Sequence, residues 1–149
     1  MTPHGPLSVL RKGAVLFIAL FAAVASAQAQ QPAPNALSLE LNTVGDVEGA
    51  CRLTFLVGNE MPTDISGFVV EAVIFNTDGQ VDRLTLFDFQ AIPAGRPRVR
   101  QFDLAGLACP SLGSVLINGV STCSGEGMTA EACQSALQPS SRTDVEVVG

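Results

Sequence analysis

From residue 37 onward the chain alternates apolar and polar side chains in short runs. Leu37, Leu39 and Leu41 are separated by Ser38 and Glu40, the period-two signature of a strand with one buried face. Residues 51–57 repeat it, with Cys51, Leu53, Phe55 and Val57 on one side. Gly45 to Gly49 supplies turn chemistry between the two. Residues 68–75 are almost wholly apolar, as expected for a central strand buried on both faces. Residues 81–89, 98–104, 115–122 and 143–148 complete a set of seven predicted strands. One segment breaks the pattern: Thr129 is a capping residue, Glu131 puts an acid in the first turn, and Pro139 marks a stop, which predicts a short helix over residues 129–137. The pattern predicts an all-β fold, an antiparallel immunoglobulin-like sandwich of about seven strands with one short helix before the last strand.

The N-terminus follows different rules. Arg11 and Lys12 precede an unbroken apolar run over residues 14–24, and Ala25-Ser26-Ala27-Gln28-Ala29 then offers A-x-A cleavage sites. This is the layout of a secretory signal peptide over residues 1–27, cut after residue 27 or 29. The run is shorter than the roughly 17–25 apolar residues a spanning helix needs, so no membrane span is expected after its removal. Residues 28–35, with Pro32 and Pro34, form a loose lead, and residues 36–149 a single domain. The expected location is periplasmic or secreted.

Cleavage changes the chemistry available. The only His (His4) and the only Lys (Lys12) leave with the leader, and no Trp or Tyr exists. Of eight basic residues, Arg11 and Lys12 are lost, so six arginines remain against fourteen acids, a net charge of −8. Such a surface gives no electrostatic case for nucleic acid. Without His or Lys the usual general base, the Schiff-base nucleophile and the Ser-His-Asp and Cys-His arrangements are missing. No cofactor or metal is expected, and the domain reads as non-enzymatic. The four cysteines lack C-x2-C spacing, and in an oxidising compartment they read as two disulfides. If consecutive strands run up and down, Cys51 and Cys109 both lie at the leading end of their strands, whereas Cys123 closes its strand beside Cys133 in the helix. The favoured pairs are therefore Cys51–Cys109 and Cys123–Cys133.

Three stretches invite a functional reading. Asn76-Thr77-Asp78-Gly79-Gln80 has the start of a calcium loop, but Gly79 falls at position 4 where position 6 is needed, and Phe87 occupies the place of the bidentate acid. Asp-Gly between two β-rich runs is a hairpin turn instead. Together with Asn59, Ile92-Pro93-Ala94-Gly95 and Phe102, the run from Val69 to Val81 resembles the FxLYD-type extracytoplasmic domains. The resemblance covers about a third of the chain. Phe75-Asn76 stands where that family usually has Tyr-Asp, and the cysteine pairs are a further departure. It implies a small immunoglobulin-like sandwich outside the cytoplasm and no catalytic residues.

Arg96, Arg98 and Arg100 alternate along one predicted strand. They form either a stripe suited to binding an anion or a partner, or a solvated edge strand whose charges deter aggregation and pair with Asp82 or Asp88. Val99 would then pack inward, and a bulge near residues 100–101 would return Phe102 and Leu104 to the core. The glycine-bearing stretch 109–133, with Gly113, Gly119, Gly125 and Gly127, reads as a disulfide-pinned loop and a second contact surface. The acids Asp82, Asp88 and Asp103 read as solvated strand-end residues. The expected role is protein binding or cell-envelope assembly with a partner the sequence does not name; the rival is a carboxylate-only hydrolase acting in the periplasm.

Overall fold

The computed structural model describes Met1, Gly5 and residues 35–149; the expected leader and nearly all of the lead lie outside the described residues. Eight strands follow: β1 (Leu37–Val47), β2 (Ala50–Asn59), β3 (Ile65–Asn76), β4 (Val81–Ile92), β5 (Arg98–Ala105), β6 (Leu112–Ser124), β7 (Leu137–Ser141) and β8 (Glu146–Val148). A single 3-10 turn (Cys109–Ser111) precedes β6, and helix α1 (Ala130–Ala136) separates β6 from β7. Among the described residues no helix is long and apolar enough to cross a membrane.

The strands form two four-stranded sheets. Sheet A runs β5-β2-β1-β7 and sheet B runs β4-β3-β6-β8. Period-two alternation decides what lies between them. Leu37, Leu39, Leu41, Leu53, Phe55 and Val57 from sheet A meet Phe68, Val70, Ala72, Ile74, Phe87, Phe89, Val115 and Ile117 from sheet B, all buried. The pleat puts alternate residues on one face, so a sandwich needs only this pattern and turns of the right length. Cys51 is bonded to Cys109 and Cys123 to Cys133, across 58 and 10 residues.

The structure departs from the sequence-based expectations in several places, each with a local cause. β1 does not end at residue 42: the ladder shifts register between Leu41 and Thr43, and the strand continues to Val47, leaving Glu48-Gly49 as the whole turn. The helix ends at Ala136, and Pro139 does not terminate it but sits inside β7, beside Leu39. A proline is tolerated there because β7 is the edge of sheet A, where one side of the strand needs no donor. β7 pairs with β1 in parallel and β8 pairs with β6 in parallel, so the sheets are not purely antiparallel. After β6 the chain crosses to sheet A through α1 and then returns to sheet B.

The last strand is shorter than its apolar pattern, starting at Glu146 instead of residue 143. The Thr143 N–H donates to Ser141 Oγ and the Val145 N–H to Thr143 Oγ1, both within 3.1 Å, and these local bonds compete with the ladder. Within the glycine-bearing stretch 109–133, the strand expected over residues 115–122 is longer, β6 (Leu112–Ser124), with Val115 and Ile117 in the core. Gly113 is there because a Cβ would stand 2.2 Å from the Asn76 carbonyl oxygen.

Candidate functional site

The expected arginine stripe lies on β5, and its geometry reverses the sequence reading. β5 pairs with β2 without a bulge, from Arg98 opposite Val57 to Ala105 opposite Ala50. Alternation therefore carries through unbroken. Leu104 is buried, Arg98, Arg100 and Phe102 are half-buried on the same side, and Val99 faces solvent at 57% exposure. The Val99-inward, bulged arrangement is corrected: β5 is an edge strand, so its inward face is partly open and long cationic side chains can leave it sideways.

Arg100 uses that opening. Its Nε donates to the Phe89 carbonyl oxygen at 2.9 Å and Nη2 to that of Ala91 at 3.4 Å, both on β4 across the sandwich. From β4, Arg83 reaches back and donates through Nη1 to the Ala105 carbonyl oxygen at 2.7 Å. The two edge strands are thus tied by reciprocal arginines, over a cluster in which Phe87 stacks on Phe102 at 4.5 Å between centroids and Phe55 and Phe89 pack edge-on. Gln90 occupies a left-handed conformation (φ 59°), held by its N–H donating to Asp88 Oδ1 at 2.8 Å. Asp82 pairs with Arg83. Neither aspartate reaches the stripe, so the expected cross-strand partners are also corrected. Of the three arginines only Arg96 is fully exposed; Arg98 donates to the Pro97 carbonyl beside it.

The outer faces of the two sheets differ in kind. Sheet A is mostly polar, with one exposed apolar pair, Leu56 opposite Val99. Arg52 binds Asp103 through two hydrogen bonds of 2.7 and 2.8 Å, Gln101 donates to Thr54, and Arg142 Nε donates to Glu40 Oε1 at 2.8 Å. The hydrogen bond from Arg52, aided by its charge, outweighs desolvation and holds the Asp103 carboxyl below the usual range, and the same bond raises Arg52 in return. For Glu40, burial pushes upward, but hydrogen bonds from Asn42 and Arg142 and the Arg142 charge outweigh it, and the net direction is down.

Sheet B is apolar. Leu84 stands opposite Val73, Val73 opposite Leu116, and Leu116 opposite Val148, so one cross-strand row spans all four strands with aliphatic side chains. Leu84 is 63% exposed, Leu86 59%, Val81 55% and Val148 41%. Soluble surfaces scatter such residues singly; a contiguous, in-register group is different. Phe75 and Val81 extend the face by one row. Of the run expected to be buried on both faces, the inward side is fully buried, while on the outer side Val73 is 7% exposed and Val69, Glu71 and Phe75 are half-buried. Among the described residues no further layer lies over it.

The remaining candidates stay apart. In the β3–β4 turn, Asn76 Oδ1 accepts the N–H groups of Asp78 and Gln80 at 3.0 and 2.9 Å, and Gly79 takes a positive φ of 76°. The turn consumes the very oxygen a cation would need. Among the described residues no group of three or more His, Cys, Asp or Glu is placed to hold a metal. Asp103 lies on the outer face of sheet A, and Asp82 and Asp88 on β4, so these acids form no cluster. Asp64 and Glu126 share the rim of an open groove of about 740 Å³, where Asp64 Oδ1 accepts the Ala94 N–H at 2.8 Å.

Sequence reasoning missed two features. Asn59 is the only fully buried polar residue in the described core, donating to the carbonyls of Thr63 (2.9 Å) and Ile92 (3.0 Å) and accepting from the Met61 N–H. The apolar outer face was visible only as an over-long hydrophobic run. Comparison with known proteins finds no matching family model, no matching curated protein and no matching solved structure.

Proposed function

We propose that this chain is an exported, non-catalytic binding module of the cell envelope, built on an immunoglobulin-like sandwich, and that it docks a protein partner on the outer face of sheet B. The observation that carries this reading is the in-register row Leu84–Val73–Leu116–Val148. Full burial of a Leu or Val side chain contributes roughly 1.5–3 kcal/mol, so covering Leu84, Leu86, Val81 and Val148 around that row, which are 41–63% exposed, offers about 4 kcal/mol gross. The Arg96, Arg98 and Arg100 stripe is set aside as the principal contact, because Arg100 is committed to β4. Export is supported by the N-terminal leader pattern and by two disulfides, which persist in oxidising compartments.

The test is site-specific photocrosslinking in the intact envelope. A photoreactive residue replacing Leu84 is expected to trap a discrete partner, whereas one replacing Gln101 on the outer face of sheet A traps none. Equal labelling from both sites, or none from Leu84, removes the proposal.

A further inference from the structure

We infer that the partner adds a strand to the β4 edge between Leu84 and Asp88, and that this strand carries aliphatic and basic side chains together on the face that continues the outer face of sheet B. The inference rests on the docking face proposed above and specifies its occupant.

Three observations carry it. First, β4 is twelve residues long and pairs only with β3, so alternate backbone N–H and C=O groups along its outer side have no strand partner. A long edge bearing exposed Leu84 and Leu86 is the kind that proteins ordinarily cover, twist or charge. Second, the protection on β4 is local. Arg100 covers the carbonyls of Phe89 and Ala91, and at the left-handed Gln90 the ladder with β3 shifts register. At the other end Arg83 turns away to Ala105. The guards bracket residues 84–88 and leave them open.

The third observation is charge. Acids surround the apolar row: Glu71 opposite Leu86, Asp88 at the end of the open segment, and Glu146 beside Val148. No arginine balances them there. Arg52 and Arg142 are paired on sheet A, Arg83 and Arg100 close the β4–β5 side, and Arg96 and Arg98 stand at the start of β5. A second copy of this chain would therefore bring like charges together over the face. Leu84, Leu86 and Asp88 share the outer face with Glu71, whose Oε1 accepts from Asn118. An incoming strand with aliphatic side chains beside Leu84 and Leu86 and a Lys or Arg two residues further, beside Asp88 and within reach of Glu71, therefore satisfies the edge, the apolar row and the rim together. Strand addition takes affinity from main-chain hydrogen bonds and specificity from alternate side chains.

A displayed library of random nonapeptides, selected on the purified disulfide-bonded chain, tests this. Counter-selection uses Leu84→Thr/Leu86→Thr, which keeps strand propensity while removing aliphatic surface. Enriched peptides are expected to carry two aliphatic residues and a Lys or Arg at successive every-second positions, on one face, and to bind the wild-type chain at least tenfold tighter than the double variant. Glu71→Gln is expected to weaken them two- to fivefold. One enriched peptide, titrated into isotope-labelled wild-type chain, is expected to shift the amides of residues 84–88; this readout does not depend on any variant folding. Enrichment of acidic or purely apolar peptides overturns the inference, as does failure to separate wild type from the double variant. So does sedimentation showing that the chain itself dimerises through β4. Peptides that shift only Leu116 and Val148 overturn strand addition yet leave the docking face in place, whereas that face falls when the crosslink at Leu84 fails or is matched at Gln101.

Discussion

Arg100→Glu separates the sequence reading of the stripe from the structural one. On a solvated stripe, reversing this charge would cost no more than ordinary surface changes, within about 0.5 kcal/mol. The structure gives a different magnitude. Arg100 Nε donates at 2.9 Å to the half-buried Phe89 carbonyl and Nη2 at 3.4 Å to that of Ala91. A hydrogen bond from a charged donor contributes about 1.5–3 kcal/mol when well sheltered; only the Phe89 bond meets that condition, so its loss costs about 1.5 kcal/mol. A glutamate in its place adds an anion facing two carbonyl oxygens, which brings the expected cost to about 2–3 kcal/mol. Arg96→Glu, on an exposed side chain without a hydrogen bond, is the control and should cost under about 0.5 kcal/mol. Urea unfolding of the oxidised chain reads both. With a slope near 1.5–2 kcal/mol per molar, Arg100→Glu should lower the midpoint by about 1–2 M and Arg96→Glu by under about 0.3 M. Equal midpoints for the two variants would refute the clamp.

Asn59→Ala removes three hydrogen bonds from a fully buried site and leaves the carbonyls of Thr63 and Ile92 and the Met61 N–H unpaired; it should destabilise by about 3 kcal/mol in the same assay. Replacing both cysteines of a pair by Ala should cost about 4 kcal/mol for Cys51–Cys109 and about 2.7 kcal/mol for Cys123–Cys133, from loops of 58 and 10 residues in the chain-entropy treatment. The reverse order in calorimetry would count against that account. Asp103 and Glu40 both titrate below their unfolded range, so their stabilising effect is present above that range and fades as pH falls through their folded pKa values. Thermal unfolding should therefore drop on acidification below about pH 4, and Asp103→Asn should flatten that drop.

How much of this was legible depends on whether the signal was local. The strands of the core were visible because alternation is a local pattern, and Leu37, Leu39, Leu41, Leu53 and Phe55 fall where it puts them. Asp-Gly named the β3–β4 turn because the required positive φ belongs to Gly79 itself. β7 was not legible: Leu137-Gln138-Pro139-Ser140-Ser141 has little strand propensity, and only its edge position beside β1 makes it a strand. The ends of β1 and β8 turned on a register shift and on hydroxyl-to-backbone bonds, neither of which hydrophobic periodicity reports.

The site was less legible for a physical reason. An arginine at period two on an edge strand has the same sequence pattern whether its guanidinium meets solvent or a carbonyl of the opposite sheet. Only the placement of β4 beside β5 chooses, and it gives Arg100 to the fold. The apolar run in β3 is the converse case. Burial on both faces was the natural expectation for Val69, Val73 and Phe75, and the sequence pattern is that of a strand with something above it. The described chain supplies the layer beneath and leaves the one above open, with Leu84, Leu86 and Val148 aligned around Val73. Exposing Leu84, Leu86 and Val148 gains the isolated molecule nothing, since each of these side chains could be polar at no cost to the core. Under the proposed function the missing layer belongs to the partner, and the acidic rim sets which sign of charge that partner carries.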